Sequence, residues 1–316
     1  MDQKGSLTAV VFPGQGAQRA GMGKDFFDQV PVCRAAYEEA ADALGWDVAD
    51  MCFSDDERLH LTEYTQPCIL TTEVAMLRGL AIRYGFAPSV YAGHSLGEFT
   101  ALVGAGALPL AEAVGIVQQR GRLMQAAVPV GMGGMAAVIA DHLDIDILRD
   151  AILDLPLDVA NINSVRQVVI SGAADALPEA ETRVMKAFSG TTGLRFVRLN
   201  VSAPFHSRYM RAIEEEFGRI LREKGKSLDA SRAVSVTSNY TGTFHTGNED
   251  DLQEALIQQL GHAVRWRDNM AAVVSAAGRI YEVGPGRPLR DFFKTMDIEC
   301  QSVISLSAAQ RIWEKT

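Results

Sequence analysis

The sequence predicts an α/β protein built on a mostly parallel sheet, with a smaller segment of strands and helices inserted into it. Short apolar β-like runs alternate with helical stretches along most of the 316 residues, which favours parallel strands covered by helices. Beyond about residue 130 the order changes, and strands begin to follow one another directly. The 47% hydrophobic fraction supplies a sizeable core for one large domain with an insert.

The larger part is expected to comprise residues 1–130 and 202–316. Its first strand is the apolar run 7–12, which stops at Pro13-Gly14. Apolar residues at helical spacing predict a helix over 66–84. The other elements expected here are, in chain order, a strand over 89–92, helices over 97–107 and 110–128, a helix after His206, a strand over 233–238, a helix over 251–260 and a strand over 279–283.

The smaller part is expected to comprise residues 131–201. Its pattern predicts, in chain order, a strand over 135–140, a helix over 143–153, strands over 157–162 and 167–171, a helix over 177–188 and a strand over 195–201. This β-α-β-β-α-β order is that of ferredoxin-like domains. The sequence therefore predicts an inserted ferredoxin-like subdomain.

Composition excludes several classes of function. A net charge of −9 argues against nucleic acid as the main partner. No apolar run approaches the roughly 18 residues of a membrane span, and the short polar segment 1–6 does not resemble an export signal. The cysteines, which lie far apart in sequence, are Cys33, Cys52, Cys68 and Cys300. We therefore expect a cytoplasmic protein with reduced thiols and neither a metal nor a cofactor.

A glycine-flanked serine is the strongest sign of chemistry. Gly93-His94-Ser95-Leu96-Gly97 has the G-x-S-x-G pattern and lies between a predicted strand and a predicted helix. A nucleophilic serine needs a sharp turn there, and glycines permit the close backbone approach that the turn requires. An N-capping serine at a glycine-rich helix start is the alternative, which the strand-turn-helix context disfavours.

A nucleophilic serine also needs a base. His60, His142 and His245 are expected on the surface, and His94 lies within the tight turn itself. No functional argument attaches to His262. His206 follows the serine in chain order and lies at the predicted junction of the two parts, where clefts often form. It is the best candidate, although any single histidine can instead be structural.

Arg120 lies on the apolar stripe of the predicted helix 110–128, because Ile116, Val117, Leu123 and Met124 stand three or four residues away. A guanidinium that faces inward must be paired. Two readings remain open: Arg120 forms a salt bridge with an internal acid, or it binds a carboxylate of the substrate, which its planar fork suits.

Taken together, these motifs resemble those of the malonyl-CoA:acyl carrier protein transacylases and related acyltransferase domains of fatty acid and polyketide synthases. The motifs are Phe12-Pro13-Gly14-Gln15-Gly16, Gln66-Pro67, Gly93-His94-Ser95-Leu96-Gly97-Glu98, Gln119-Arg120-Gly121-Arg122, Asn163-Ser164, Gln167–Gly172, Phe205-His206-Ser207 and Glu282-Val283-Gly284-Pro285-Gly286. The resemblance covers nearly the whole chain. It implies a hydrolase-like large subdomain with the ferredoxin-like one inserted.

The resemblance also implies roles for particular residues. Ser95 would be the nucleophile and His206 its base, oriented by the backbone carbonyl of Gln259 in place of an acidic side chain. Backbone N–H groups of Gln15 and Leu96 would form the oxyanion hole. The substrate-binding residues would be Arg120, holding the malonyl carboxylate, together with Gln66, His94, Asn163 and Phe205. Leu96 and Phe205 resemble the residues of malonyl-selective rather than methylmalonyl-selective relatives.

The implied function is transfer of a malonyl group from malonyl-CoA to an acyl carrier protein through an acyl-Ser95 intermediate, by a monomeric enzyme. Two alternatives stay open. The first is a hydrolase that clears acyl groups from carrier proteins, against which Arg120 argues. The second is a catalytically idle docking subunit, against which the intact Ser95, His206 and Arg120 argue. The sequence does not separate fatty acid from polyketide synthesis.

Overall fold

The computed structural model describes residues 7–201 and 203–314, so the segment 1–6 and Ser202 lie outside the described residues. Its strands are β1 (Thr8–Phe12), β2 (Val90–Gly93), β3 (Gly133–Ile139), β4 (Leu157–Ile162), β5 (Gln167–Ala173), β6 (Arg195–Arg198), β7 (Arg279–Val283) and β8 (Gln301–Val303). Its helices are α1 (Lys24–Gln29), α2 (Pro31–Leu44), α3 (Val48–Phe53), α4 (Thr62–Tyr84), α5 (Gly97–Gly104), α6 (Leu110–Ala126), α7 (Ile145–Ala151), α8 (Leu177–Ala187), α9 (Glu214–Lys224), α10 (Ala230–Ala233), α11 (Glu249–Gln258), α12 (Trp266–Ala276), α13 (Pro288–Lys294) and α14 (Leu306–Trp313). Short 3₁₀ turns cover Glu57–His60, Ala174–Ala176 and Arg208–Ile213.

The large subdomain is built on a parallel sheet in the order β2-β1-β7-β8. Helices cover both of its faces, and β1 shows why its sequence is apolar throughout. Val10 and Phe12 pack into the main core, whereas Ala9 and Val11 pack into a second core on the opposite face. A strand buried on both faces reads as a continuous apolar run, which is what made β1 recognisable in the sequence.

The small subdomain is built on an antiparallel sheet in the order β4-β5-β3-β6. Counted within the subdomain, this order is 2-3-1-4, which is the ferredoxin-like arrangement that the sequence predicts. Val138 and Ile170 face a core shared with α7 and α8, whereas Met135 and Val169 on the other face join the main core. The α/β fold with two subdomains is thus confirmed, and the boundaries at residues 131 and 201 stay a prediction.

Backbone hydrogen bonds link the two subdomains next to the cleft between them. The Ile162 N–H donates to the carbonyl of Val264 at 2.9 Å, and the Val264 N–H donates to the carbonyl of Ala160 at 2.9 Å. Because Val264 follows α11 closely, this link fixes the chain segment just after α11 against the small subdomain.

The predicted strand over 233–238 is wrong. Helix α10 ends at Ala233, and within residues 234–238 only Val236 and Thr237 form isolated bridges, Val236 to Tyr91 of β2. The Asp229 side chain accepts a hydrogen bond from the Ser231 N–H and so starts a helical turn that the apolar pattern concealed.

Other elements were not predicted at all, among them α1 to α3, α12 to α14 and β8. Over the described ranges 7–201 and 203–314, no helix is long and apolar enough to cross a membrane. All four cysteines are free, as the sequence predicts, and each is buried.

Candidate active site

Ser95 sits at the sharp turn between β2 and α5 with φ 53°, a left-handed conformation that non-glycine residues rarely adopt. A side chain on Gly93 would overlap the backbone of Gly97, and one on Gly97 would overlap the carbonyl of Phe12. Both glycines are therefore needed to bring β1, β2 and α5 this close. The predicted strand-turn-helix context is present, and the N-cap alternative fails because Ser95 makes no capping bond.

Asn239, which was not predicted from the sequence, stabilises this turn. Asn239 accepts a hydrogen bond from the Ser95 N–H at 2.7 Å through its Oδ1, and its Nδ2 donates to the carbonyl of Gly93 at 2.7 Å. The side chain thus bridges both arms of the turn. Its neighbours in the sequence carry no signal of this role, because Ser95 lies 144 residues away.

His206 faces Ser95 across the cleft. Its Nε2 lies 2.7 Å from the Ser95 Oγ, and its Nδ1 lies 2.8 Å from the backbone carbonyl oxygen of Gln259. A carbonyl oxygen can only accept, so Nδ1 carries the proton and Nε2 is left to accept from the serine hydroxyl. The expected contact with a backbone carbonyl, in place of an acidic side chain, is therefore present.

Burial keeps His206 neutral. The side chain is only 4% exposed, and desolvation together with the nearby positive charge of Arg120 lowers the pKa of His206 to about 3. The bond to Gln259 opposes this shift but does not outweigh it. At neutral pH the imidazole is consequently in the unprotonated form that a general base requires.

Arg120 lies beside the nucleophile and is buried. Its Nη1 donates to Gln66 Oε1 at 3.0 Å, and its Nη2 donates to Gln259 Oε1 at 2.7 Å and to the Ser95 Oγ at 3.1 Å. Its Nε has no partner among the described residues, and none of their carboxylates lies within 4.0 Å of the guanidinium. Burial lowers the pKa of Arg120 to about 10, partly opposed by Glu98, so the group stays charged at neutral pH. This buried cation lacks the direct salt bridge that a purely structural role predicts.

The two predicted oxyanion-hole donors are the backbone N–H groups of residues that line the cavity with Ser95. Gln15 and Leu96 line the same cavity as Ser95, and neither N–H donates to another atom of the residues that the structure describes. Gly14 allows the first of these loops to approach closely, because a side chain there would overlap the carbonyl of His94. Free N–H groups at such a position can stabilise a developing oxyanion.

The cavity above Ser95 has a volume of about 610 Å³ and lies between the two subdomains. The predicted site residues that line it are Gln15, Gln66, His94, Ser95, Leu96, Arg120, Phe205 and His206. Further lining residues that were not predicted include Met124, Met135, Asn161, Leu199 and Val201. In the part of the chain that is described, no group of three or more histidine, cysteine or acidic side chains could hold a metal.

Two predicted residues do not line the cavity but support residues that do. Asn163 lies behind His94, with 2.8 Å between its Oδ1 and the His94 Nε2, and it also donates to Gln167 at 2.8 Å. The residue near this strand end that lines the cavity is Asn161, within β4. Gln259 lies behind Arg120 and His206 and contacts both.

One histidine assignment is wrong. His245 was expected on the surface, yet it is 7% exposed and lies 3.0 Å from the Glu98 carboxylate. Polar neighbours in the sequence concealed this burial, since the partner that makes burial possible lies 147 residues away. Among the described residues, His60 and His142 are exposed as expected.

The fold and the site define a class: an α/β protein with a serine at a nucleophile elbow, a neutral histidine base and two free N–H donors, which is equipment for acyl transfer. A family model described as "Acyl transferase domain" matches residues 9–275. The chain belongs to this family and, within it, to the malonyl CoA-acyl carrier protein transacylases, as the following similarities show.

The malonyl CoA-acyl carrier protein transacylase of Bacillus subtilis is 35% identical over 306 residues, which are 94% of this chain and 93% of that protein. The one from Synechocystis is 39% identical, covering 91% of this chain and 92% of its own. Among solved structures, the transacylase of Clostridium perfringens superposes with a TM-score of 0.86 at 32% identity, over 98% of this chain and 96% of that one. A malonyl-transacylase in complex with a type II PKS acyl-carrier protein superposes with a TM-score of 0.87 at 31% identity, over 98% of this chain and 100% of that one.

Proposed function

We propose that this protein transfers the malonyl group of malonyl-CoA to the phosphopantetheine thiol of an acyl carrier protein, through an ester on Ser95. The observation that carries the proposal is the buried guanidinium of Arg120, which touches the Ser95 Oγ at 3.1 Å and pairs with no carboxylate of the described residues. An acyl group with its own carboxylate close to the reacting carbonyl would supply the missing partner. The related transacylases of Bacillus subtilis and Synechocystis are named for the same two substrates.

In the first half-reaction, His206 Nε2 takes the proton of the Ser95 hydroxyl while Oγ attacks the carbonyl carbon of the malonyl thioester. The N–H groups of Gln15 and Leu96 stabilise the resulting oxyanion. The C–S bond then breaks, and the proton on His206 passes to the departing coenzyme A sulfur. Malonyl remains as an ester on Ser95, with its carboxylate held by Arg120.

The second half-reaction repeats these steps with a different thiol. His206 takes the proton of the phosphopantetheine thiol, and the sulfur attacks the malonyl ester. The same N–H groups stabilise the second tetrahedral intermediate, and the Ser95 oxygen leaves with the proton from His206. Ping-pong kinetics follow, because one acyl group must leave before the next enters.

The two alternative functions make different demands on the same site. A hydrolase must admit water to the ester, and a docking subunit needs no reactive serine. The contact of Ser95 with His206 and the uncompensated guanidinium of Arg120 support malonyl transfer over both. We further propose that the enzyme acts in the cytoplasm as a monomer and needs no metal or cofactor.

Incubation of the protein with malonyl-CoA, followed by intact-mass analysis, tests the first half-reaction. Addition of a phosphopantetheinylated carrier protein then tests the second, read as loss of malonyl from the enzyme and its gain by the carrier. Release of free malonate without transfer would instead show a hydrolase. A protein that is never labelled would contradict both enzymatic readings.

A further inference from the structure

A fully buried carboxylate that the proposed reaction does not use lies directly beneath the active site. Glu98, on α5 three residues after the nucleophile, is 0% exposed. Its Oε2 accepts from the Asn239 N–H at 2.9 Å and from the Gln259 Nε2 at 2.6 Å, and its Oε1 lies 3.0 Å from the His245 Nε2. Three donors, two of them in the loop between α10 and α11, therefore hold this carboxylate in one place.

The Glu98 carboxylate determines which way the amide of Gln259 points. An ionised carboxylate accepts hydrogen bonds and cannot donate them, so Gln259 must turn its NH₂ group towards Glu98. The same NH₂ group donates to the carbonyl of Ser95 at 3.2 Å. The amide oxygen is thereby left on the opposite side, where it accepts from the Arg120 Nη2 at 2.7 Å.

The opposite orientation of the amide would be unfavourable at both ends. The NH₂ group would face the guanidinium, which has only donors, and the amide oxygen would face the carboxylate, which has only acceptors. A buried donor or acceptor that is left unpaired destabilises a site. Glu98 thus excludes an orientation in which Arg120 would lose its bond to Gln259.

We propose that Glu98 is a positioning residue that acts through the Gln259 side chain to hold Arg120 where it binds the acyl carboxylate. This inference rests on the proposed function. The backbone carbonyl of Gln259 separately orients His206, at 2.8 Å from its Nδ1. Gln259 therefore holds Arg120 through its side chain and His206 through its backbone. Only the side-chain contact depends on Glu98. Disturbing Glu98 is accordingly expected to impair recognition of the carboxylate more than the reaction of Ser95.

Two variants test this separation. Gln259→Met removes the amide and keeps the backbone carbonyl that orients His206. Glu98→Gln keeps the shape of the side chain, but it replaces the carboxylate with a neutral amide oxygen, which accepts the hydrogen bond from Gln259 less strongly. The His245 ring can change tautomer to accept from the new amide, which favours correct folding of this variant.

The measurement is the initial rate of Ser95 acylation by malonyl-CoA and by acetyl-CoA, read by intact mass, together with the melting temperature. The ratio of malonyl to acetyl rates should fall about 10-fold or more in Gln259→Met and roughly 3- to 10-fold in Glu98→Gln. In both variants the acetyl rate should fall by a smaller factor than the malonyl rate. In the double variant the ratio should equal that of Gln259→Met alone, because Glu98 acts through Gln259.

Glu73→Gln is the matched control. Glu73 is also 0% exposed, and it bonds to Thr100 outside the cavity, so the same isosteric change there should leave the ratio unchanged. A ratio within about 2-fold of wild type in both test variants would overturn the proposal, and so would parallel losses for both substrates that track the melting temperature. A wild-type protein that malonyl-CoA does not label would instead count against the proposed function itself.

Discussion

The Nδ1 of His206 lies 2.8 Å from the backbone carbonyl oxygen of Gln259, and this bond fixes the imidazole tautomer without an acidic side chain. A neutral carbonyl orients the ring as a carboxylate would, but it stabilises the protonated imidazole less. Burial and the charge of Arg120 therefore dominate and lower the pKa of His206 to about 3. The base is thereby kept neutral over a wide range of pH, and the first two predictions follow from that.

The rate of Ser95 acylation should not show the decrease near pH 6.5 that protonation of an ordinary histidine base causes. An ordinary imidazole with a pKa near 6.5 is about 97% protonated at pH 5, whereas one with a pKa of about 3 is almost wholly neutral there. We expect kcat/KM for Ser95 acylation by malonyl-CoA at pH 5 to lie within about 2-fold of its value at pH 7.5, since this parameter reports the free enzyme. A stopped-flow pH profile that falls tenfold or more between these values would contradict the assignment.

The lowered pKa of His206 should also make the folded protein less stable at acidic pH. As pH falls below about 6.5 the unfolded chain binds a proton at His206, but the folded protein does not until about pH 3. The unfolded state then binds more protons, so stability decreases between these values, by about 2 kcal/mol at pH 5 from this residue.

The variant His206→Asn lacks this contribution and tolerates the left-handed backbone at φ 57°. Urea unfolding of both proteins at pH 7.5 and pH 5 measures the difference. The wild type should lose about 2 kcal/mol more than the variant on acidification, other titrating groups being common to both. Equal losses would mean that His206 titrates normally in the folded protein.

Ser95→Ala should abolish the malonyl adduct. The hydroxyl removed is the one that contacts His206 Nε2 at 2.7 Å. Intact-mass analysis after incubation with malonyl-CoA provides the measurement. The exposed Ser275, changed to alanine, serves as the control and should be labelled as fully as the wild type. A stable adduct on Ser95→Ala would refute the role of Ser95.

Arg120→Ala should change which acyl group is accepted. Loss of a charge-assisted, bidentate contact is expected to remove about 2–4 kcal/mol of transition-state binding, or roughly 30- to 1000-fold in malonyl transfer. Acetyl transfer never used the contact and should be retained or improved. Arg122→Ala, on the exposed face of the same helix, should alter neither rate. Parallel losses for both substrates, with a large drop in melting temperature, would show that Arg120 is only structural.

Phe205 should exclude branched extender groups. It lines the cavity next to His206 and is 9% exposed, so an α-methyl group on the substrate would compete with its ring for space. Steric exclusion of one methyl group is worth roughly 1–3 kcal/mol, or about 10- to 200-fold in kcat/KM for malonyl-CoA over methylmalonyl-CoA. Phe205→Ala should reduce the preference for malonyl-CoA over methylmalonyl-CoA. Equal rates of the wild-type protein with both substrates would contradict this role.

Local sequence patterns were sufficient to predict many of the secondary-structure elements and the nucleophile of this protein. The apolar run of β1, the helical spacing of α4 and the β-α-β-β-α-β order between residues 131 and 201 each report a feature of neighbouring residues, and the structure agrees with them. The elbow around Ser95 was equally visible, because close packing of β2 against α5 requires glycine at fixed positions. Helical periodicity likewise predicted that Arg120 points into the protein.

What only the tertiary structure decided were the contacts between residues distant in sequence. Periodicity predicted that Arg120 is buried, but not that it contacts Ser95, Gln66 and Gln259 rather than a carboxylate of the described residues. Asn239 and His245 carry no local signal, because their partners lie 144 and 147 residues away. Whether a side chain is buried can be predicted from the pattern of neighbouring residues. Its hydrogen-bond partner depends on which segments the fold brings together. The chemistry was thus readable along the chain, and the network that holds it in place was fixed only by folding.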